Sequence, residues 1–306
     1  MEFYLFHIIT FLMLVVVGTN GATLPPQLYW KSMLPNTPMP KAITNLLHPA
    51  EYWTEGKSTW VDASKCSINL LNYKHAASEI QLHDKSNLAL FFLENDLHHG
   101  KKLNMLFTKT TSNNNVAKFL PKEVADSIPF SSNKMENILH KFSIKKGTKE
   151  YEIVKNTIND CEEKGIKGEE KLCVTSLESM VDFAISKLGK NVEVVSTEVK
   201  KESNELQQYV IGKGVKKLGD KNKTIVCHKE NYPYVVFYCH KTDTTKVSVP
   251  LEGVDGSRVK AVAVCHTDTS QWNPKHLAFQ VLKVQPGIVP VCHFLPLDDH
   301  VVWVSK

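Results

Sequence analysis

Arginine is almost missing from this chain: Arg258 is the only one among 37 basic residues. Proteins that read nucleic acid lean on arginine for paired contacts to phosphate and guanine. A lysine surface without a basic cluster is instead a solvated face, attracted at most to acidic polymers, so nucleic acid is set aside as a partner. A second long apolar run is missing too. After the first 22 residues no stretch is long and apolar enough to cross a bilayer, which excludes a protein of several spans. Residues 51–87 carry no repeat and read as a variable linker.

The first residues set the compartment. Phe3 to Val17 is an almost unbroken apolar run that leads into Gly18-Thr19-Asn20-Gly21-Ala22. Its start holds Glu2 and no Lys or Arg, yet its length and small-residue end suit a cleaved signal peptide, 1–21, better than an anchor. The whole chain has 37 basic and 32 acidic residues; loss of Glu2 with the leader moves the net charge from +5 to +6. All seven cysteines, Cys66, Cys161, Cys173, Cys227, Cys239, Cys265 and Cys292, follow the leader and enter an oxidising pathway. Seven is odd, so one thiol is left free or joins another chain; Cys66, alone in the linker, is the candidate. Six paired cysteines allow 15 connectivities, and the spacing does not choose among them.

Four of those cysteines share one context. TIVCH, VVFYCH, AVAVCH and IVPVCH end apolar runs at Cys227-His228, Cys239-His240, Cys265-His266 and Cys292-His293, with 10, 24 and 25 residues between successive pairs. Neighbouring side chains on a strand point to opposite faces, so the sulfurs face one way and the imidazoles the other. A zinc finger needs both on one ion, which this geometry opposes. The arrangement predicts sulfurs joined on a core side and His228, His240, His266 and His293 gathered on the opposite side, within reach of a metal. The competing use of the four rings is hydrogen bonding and strand-end packing. Lys-Thr-Asp-Thr-Thr after the second pair and Thr-Asp-Thr-Ser after the third form a weak echo, as of a unit repeated once.

Around this series the chain divides. Residues 22–87 are Pro-rich, then variable; LPPQLYWKSMLPNTPMP reads as an extended segment whose Tyr29, Trp30 and Met33 lie across the body. The main domain, 88–306, opens with a strand at Phe91-Phe92, a polar turn at His99-Gly100 and a second strand. Three helices follow, on Met135/Ile138/Leu139/Phe142, on Tyr151/Val154/Ile158/Cys161, and on Leu177/Val181/Ala184/Ile185/Leu188. The third has a capping-box pattern at Thr175/Glu178 and a stop at Gly189. Cys161 and Cys173 flank the link between the second and third helices, close enough to bridge it. From Val192 onward strands dominate, and Pro290 marks the last Cys-His run as an edge. Asn222-Lys223-Thr224 is a glycosylation sequon. The fold class is α+β: a helical segment, then a disulfide-braced, mostly antiparallel β domain.

Phe91-Phe92 at the start of a domain, the four Cys-His pairs at these spacings, FLPKEVADSIPFSS, LPNTPMP and Trp303 near the end together resemble the plant BURP-domain family, over roughly Leu88 to Ser305. The short variable region is similar to that of the seed-protein-like (USP-type) members. The resemblance implies a secreted plant protein of the cell wall or seed storage vacuole, tied to development, seed or stress responses, with cell-wall polysaccharide or a second chain bound through Cys66 as partners. Some members are copper-dependent cyclases that crosslink a Tyr or Trp of their own chain, which implies copper at His228, His240, His266 and His293. In members of that kind the crosslinked peptide follows the Phe-Phe segment and ends in Tyr or Trp; residues 108–132 here contain neither. Tyr29-Trp30 is a remote substitute, and a structural role for that pair weighs more.

Overall fold

The computed structural model describes residues 25–47, 90–107, 117–200, 205–297 and 300–306. The expected leader and the whole linker at 51–87, Cys66 included, lie outside them.

The Pro-rich stretch is helical where it was expected to be extended. Proline suits a first helical turn, where the missing N–H has no partner to lose, and α1 (Pro26–Met33) starts there. Trp30 is 2% exposed; its indole N–H donates to the Thr37 carbonyl at 2.8 Å, and its ring lies 5.3 Å from that of Trp303. Tyr29 and Met33 pack on the same core, as expected of them. A single turn, α2 (Lys41–Thr44), adds Ala42 and Ile43 to it.

The strands β1 (Phe91–Leu93) and β2 (Lys102–Met105) form as read, but they do not pair with each other; they lie at opposite ends of one sheet. Four helices and a strand follow: α3 (Lys122–Ser127), α4 (Met135–Lys141), α5 (Lys149–Glu162), β3 (Glu170–Val174) and α6 (Leu177–Leu188). Cys161, in the last turn of α5, bonds Cys173 on β3. The third helix starts one residue later than its sequence signal. Ser176 rather than Thr175 is the cap, its hydroxyl accepting the Ser179 N–H at 3.1 Å, because the chain enters the helix only after β3 has ended. Gly189, at φ 77°, ends it in a conformation few other residues adopt.

Among the described residues ten strands complete two antiparallel sheets: β4 (Val192–Val195), β5 (Glu198–Val199), β6 (Gln207–Ile211), β7 (Lys216–Lys217), β8 (Thr224–Glu230), β9 (Val236–Lys241), β10 (Thr244–Gly253), β11 (Arg258–His266) and, after the short helix α7 (Leu277–Leu282), β12 (Val291–Phe294) and β13 (His300–Ser305). The smaller sheet has the order β3-β9-β8-β13-β4; the larger runs β1-β12-β11-β10-β6-β2, with β5 added to β11 and β7 to β10. Thus β12 is an inner strand and not an edge: Pro290, which lacks the N–H a ladder needs, falls just before it. Asn222 is exposed in a turn before β8, while Thr224 of its sequon is buried.

Alternation along the strands builds three cores. Val226 and Val302 on the smaller sheet meet Val262 and Val264 on the larger one, with Leu295 between the sheets; all five are at most 3% exposed. On their outer faces the sheets hold separate clusters. Cys227, Cys239, Val301 and Trp303 pack beneath α1 and α6, whereas Cys265 and Cys292 pack among Phe92, Tyr209 and Leu251 of the curled larger sheet. Burial of each large apolar side chain contributes about 1.5–3 kcal/mol, so the inter-sheet layer fixes the faces from which the histidines project.

Candidate metal centre

His228 follows Val226 by two residues and His266 follows Val264 by two, so the rings continue the inter-sheet faces just past the valine layer. The cysteines between them point the other way. Cys227 and Cys239 are directly opposed on β8 and β9, Cys265 and Cys292 on β11 and β12, and each opposed couple is a disulfide. The four motifs therefore pair in chain order, first with second and third with fourth, one couple on each sheet. Register makes this so: each couple belongs to adjacent antiparallel strands, where facing Cβ atoms are closest.

The histidines are brought together in the same couples. The Nε2 atoms of His228 and His240 are 2.8 Å apart, and those of His266 and His293 are 3.4 Å apart. They do not lie on one face of one sheet, as neighbouring hairpins would place them, but on two facing sheets. The couples still act on each other. Burial above all, then the fields of His300, His240, His293 and His266, hold His228 well below the ordinary imidazole range; burial, then His293 and His240, does the same to His266. Burial brings His293 down to about 4. Among the described residues no group of three His, Cys, Asp or Glu side chains is already arranged to hold an ion.

Three further groups at this place carry no Cys-His signature. His300, at the start of β13, is paired in register with His228; the two rings lie 4.6 Å apart, edge to face. It is 6% exposed, and among the described residues neither of its ring nitrogens has a hydrogen-bond partner. Burial pushes it down to about 3. Glu169 sits just before β3, and its carboxylate accepts from His240 Nδ1 at 2.6 Å and from the Tyr238 hydroxyl at 3.1 Å on one oxygen, and from the Ile166 N–H at 3.0 Å on the other. Burial alone would raise this carboxyl, but the His240 contact and the two further donors bring it to about 2. Lys246, 1% exposed and bound to the Thr242 and Thr244 carbonyls, is brought down to about 7 by burial. Only His300 offers a sequence signal, a histidine directly before the apolar run VVWV; Glu169 is one acid in a Lys/Glu-rich loop.

The second couple is walled by rings instead. Trp272 lies 4.9 Å from His266 and 5.0 Å from His276, and Phe91 lies 5.6 Å from His276 and 6.2 Å from His293. His276 accepts the Ala278 N–H at 3.2 Å as the cap of α7.

With that geometry in hand, comparison with known proteins decides the family. The BURP domain profile matches residues 90–305. The chain belongs to the BURP-domain family. It is 55% identical over 244 residues to BURP domain protein RD22 of Arabidopsis thaliana, covering 79% of this chain and 62% of that protein. With BURP domain-containing protein 3 of Oryza sativa subsp. japonica it shares 53% over 239 residues, 76% of this chain and 54% of the relative. With BURP domain protein USPL1 of Arabidopsis thaliana it shares 38% over 269 residues, 81% of this chain and 94% of the relative. The chain thus spans little more than half to three fifths of the length of the first two relatives. Its identity to RD22, 55%, exceeds its identity to USPL1, 38%. The BURP match begins after α1, whose Trp30 packs against Trp303 inside the match.

Proposed function

We propose that this BURP-domain protein is secreted to the cell wall or the seed storage vacuole and binds copper through His228, His240, His266 and His293, in a role in development, seed or stress response. The observation that carries the metal reading is a buried end of a sandwich supplied with five imidazoles, of which His300 has two unpartnered nitrogens. A buried polar group without a partner costs about 1–3 kcal/mol, and an ion supplies the partner. The donor set fits: neutral imidazole suits copper and zinc, and burial holds His228, His266, His293 and His300 below the ordinary imidazole range. Nitrogens about 2.0–2.1 Å from one ion lie about 2.9 Å apart at a right angle and about 3.3 Å apart at the tetrahedral angle; the two couples, at 2.8 and 3.4 Å, are near those separations. When bound, copper would supply one-electron chemistry with dioxygen. The three disulfides and the apolar leader support the secretory route. Among the described residues no helix is long and apolar enough to cross a membrane. Asn222 is the glycosylation site in this reading, and Cys66 the link to another chain or the free thiol, beside cell-wall polysaccharide as a ligand.

Titration of the purified mature chain with Cu(II), followed by absorption and paramagnetic resonance, tests the site. Stoichiometric binding that is lost when the four motif histidines become alanine supports it; binding that persists unchanged in that variant defeats it. Autocatalytic crosslinking is the runner-up reading, and Trp30, its remote substrate, is buried against Trp303 as part of the core. Mass spectrometry with and without Cu(II) and oxygen separates the two: loss of two hydrogens from a Tyr- or Trp-containing peptide would establish the enzyme.

A further inference from the structure

The two histidine couples are alike in register, and a carboxylate stands behind His240 of the first. Glu169 leads into β3, whose Lys171 is paired with His240 on β9, and this register carries the Glu169 side chain to the far side of the His240 ring from His228. The Glu169 side chain is 1% exposed and that of His240 is 7% exposed. Both carboxylate oxygens are engaged: Oε1 by His240 Nδ1 and the Tyr238 hydroxyl, Oε2 by the Ile166 N–H. Lys171 lies 4.9 Å over the Tyr238 ring, and the Cys161–Cys173 bridge ties β3 to α5, so the carboxylate rests on a braced element.

An ionised carboxylate only accepts hydrogen bonds. The proton between it and His240 therefore belongs to Nδ1, which leaves Nε2, the atom 2.8 Å from His228, as the nitrogen turned into the cluster. A carboxylate on the outer nitrogen of a ligating histidine fixes its tautomer and orientation and raises its basicity. At the second couple the corresponding contact of His293 Nδ1 is to the Phe294 carbonyl at 3.3 Å, a longer bond to a neutral group.

We propose that Glu169 is a positioning residue: it locks His240 as the Nδ1-protonated tautomer with Nε2 directed into the cluster, and so tightens metal binding by the β8–β9 couple. The inference rests on the metal reading above, and its test separates the two. Long-range proton–nitrogen correlation spectra of the full mature chain, labelled at histidine nitrogens and free of metal, report the tautomer directly. The unaltered chain should show His240 protonated at Nδ1. Glu169→Leu should give a mixture of tautomers, Glu169→Gln a weaker preference than the parent, and Tyr238→Phe, which leaves the His240 contact in place, no change. Cu(II) competition titrations should then show affinity about 10–100-fold weaker in Glu169→Leu. A purely structural Glu169 would lower the melting temperature and leave the tautomer and the relative affinities alone. Unchanged His240 tautomers in both Glu169 variants overturn the positioning role whatever copper does, and Glu169→Gln supplies this result if the leucine variant does not fold. If the parent chain has the expected tautomer but binds no Cu(II), the metal reading falls and with it the claim of tightened binding.

Discussion

In the β8–β9 couple the Cys227–Cys239 bridge faces a core roofed by helices and by Trp30 and Trp303, and its histidines meet a carboxylate and the unpartnered ring of His300. In the β11–β12 couple the Cys265–Cys292 bridge faces a core that the larger sheet makes by curling on itself, and its histidines meet Trp272, Phe91 and His276. The motif is the same and the strand geometry is the same; what differs is what the rest of the chain lays against each side. A Cys-His pair thus specifies a bridge and the direction of a ring. The ring's electrostatic surroundings come from elements far away in sequence, Glu169 and His300 among them.

The greatest expected effect falls on the roof of the first couple alone. Trp30→Ala removes a side chain that is 2% exposed and stacked near Trp303, and loss of a buried tryptophan costs about 3–5 kcal/mol. Denaturant unfolding should show that loss, and amide exchange should show weakened protection in β8 and β13 with β11 and β12 unchanged. Equal weakening in both couples would mean that the two sides are one cooperative unit.

Next come the bridges. Cys227–Cys239 spans a separation of 12 residues and Cys265–Cys292 a separation of 27. By loop entropy the first stabilises by about 2.8 kcal/mol and the second by about 3.6 kcal/mol. Double alanine variants of each couple should therefore unfold in the order second, then first, of increasing stability. The reverse order would show that the roof over the first couple depends on its bridge.

This contrast was only partly legible in the residues. Alternation of the four Cys-His runs gave the opposed directions of sulfur and imidazole, and the Leu177/Val181/Ala184/Leu188 stripe gave the third helix, because both rest on local periodicity. The pairing in chain order, the placement of β1 and β2 at opposite ends of a sheet, and the inner position of β12 depend on long-range register, which a single strand does not encode. α1 was missed because its prolines stand at the start, where a helix tolerates them, and the segment was read from its proline content. Glu169 and His300 were missed for a related reason: Glu169 has no neighbour that marks it, His300 only the apolar run after it, and each reaches the cluster through the strand beside it.

A smaller effect distinguishes His300 from His293. His300 has no partner for either nitrogen, so His300→Leu should stabilise the metal-free chain by about 1–3 kcal/mol at neutral pH. His293→Leu should destabilise it, since that ring bonds the Phe294 carbonyl and stacks on His266. Acid sharpens the difference. The folded values of about 4 for His293 and about 3 for His300 lie below the 6.5 of an unfolded chain, so the unfolded state binds more protons between those limits. Stability of the metal-free parent is complete above pH about 6.5 and declines as pH falls toward the folded values. Thermal melts across that window should show a shallower decline in His300→Leu; an identical decline would mean that His300 does not stay neutral in the fold.

The smallest effect concerns Tyr29, beside Trp30 on α1. Tyr29 donates its hydroxyl to Asp182 on α6, a contact that fastens the first couple's roof from outside and has no counterpart over the second. Partial burial first, then the Asp182 hydrogen bond and the charges of Asp182 and Glu178, push the phenol up to about 12. It therefore stays protonated, and able to donate, well past the 10.0 at which a free phenol ionises. Tyr29→Phe keeps the ring packing and removes the donor; because the bond is largely solvated, the cost should be only about 0.5–1 kcal/mol. The pH dependence has the opposite sign to that of the histidines. Between about 10 and about 12 the folded state holds the proton that the unfolded state has released, so the parent loses stability as pH rises through that range. Tyr29→Phe should lose correspondingly less there, until the two curves approach each other. Parallel curves over that range would mean that the hydroxyl is not bound to Asp182, and that Trp30 alone holds α1 over the first couple.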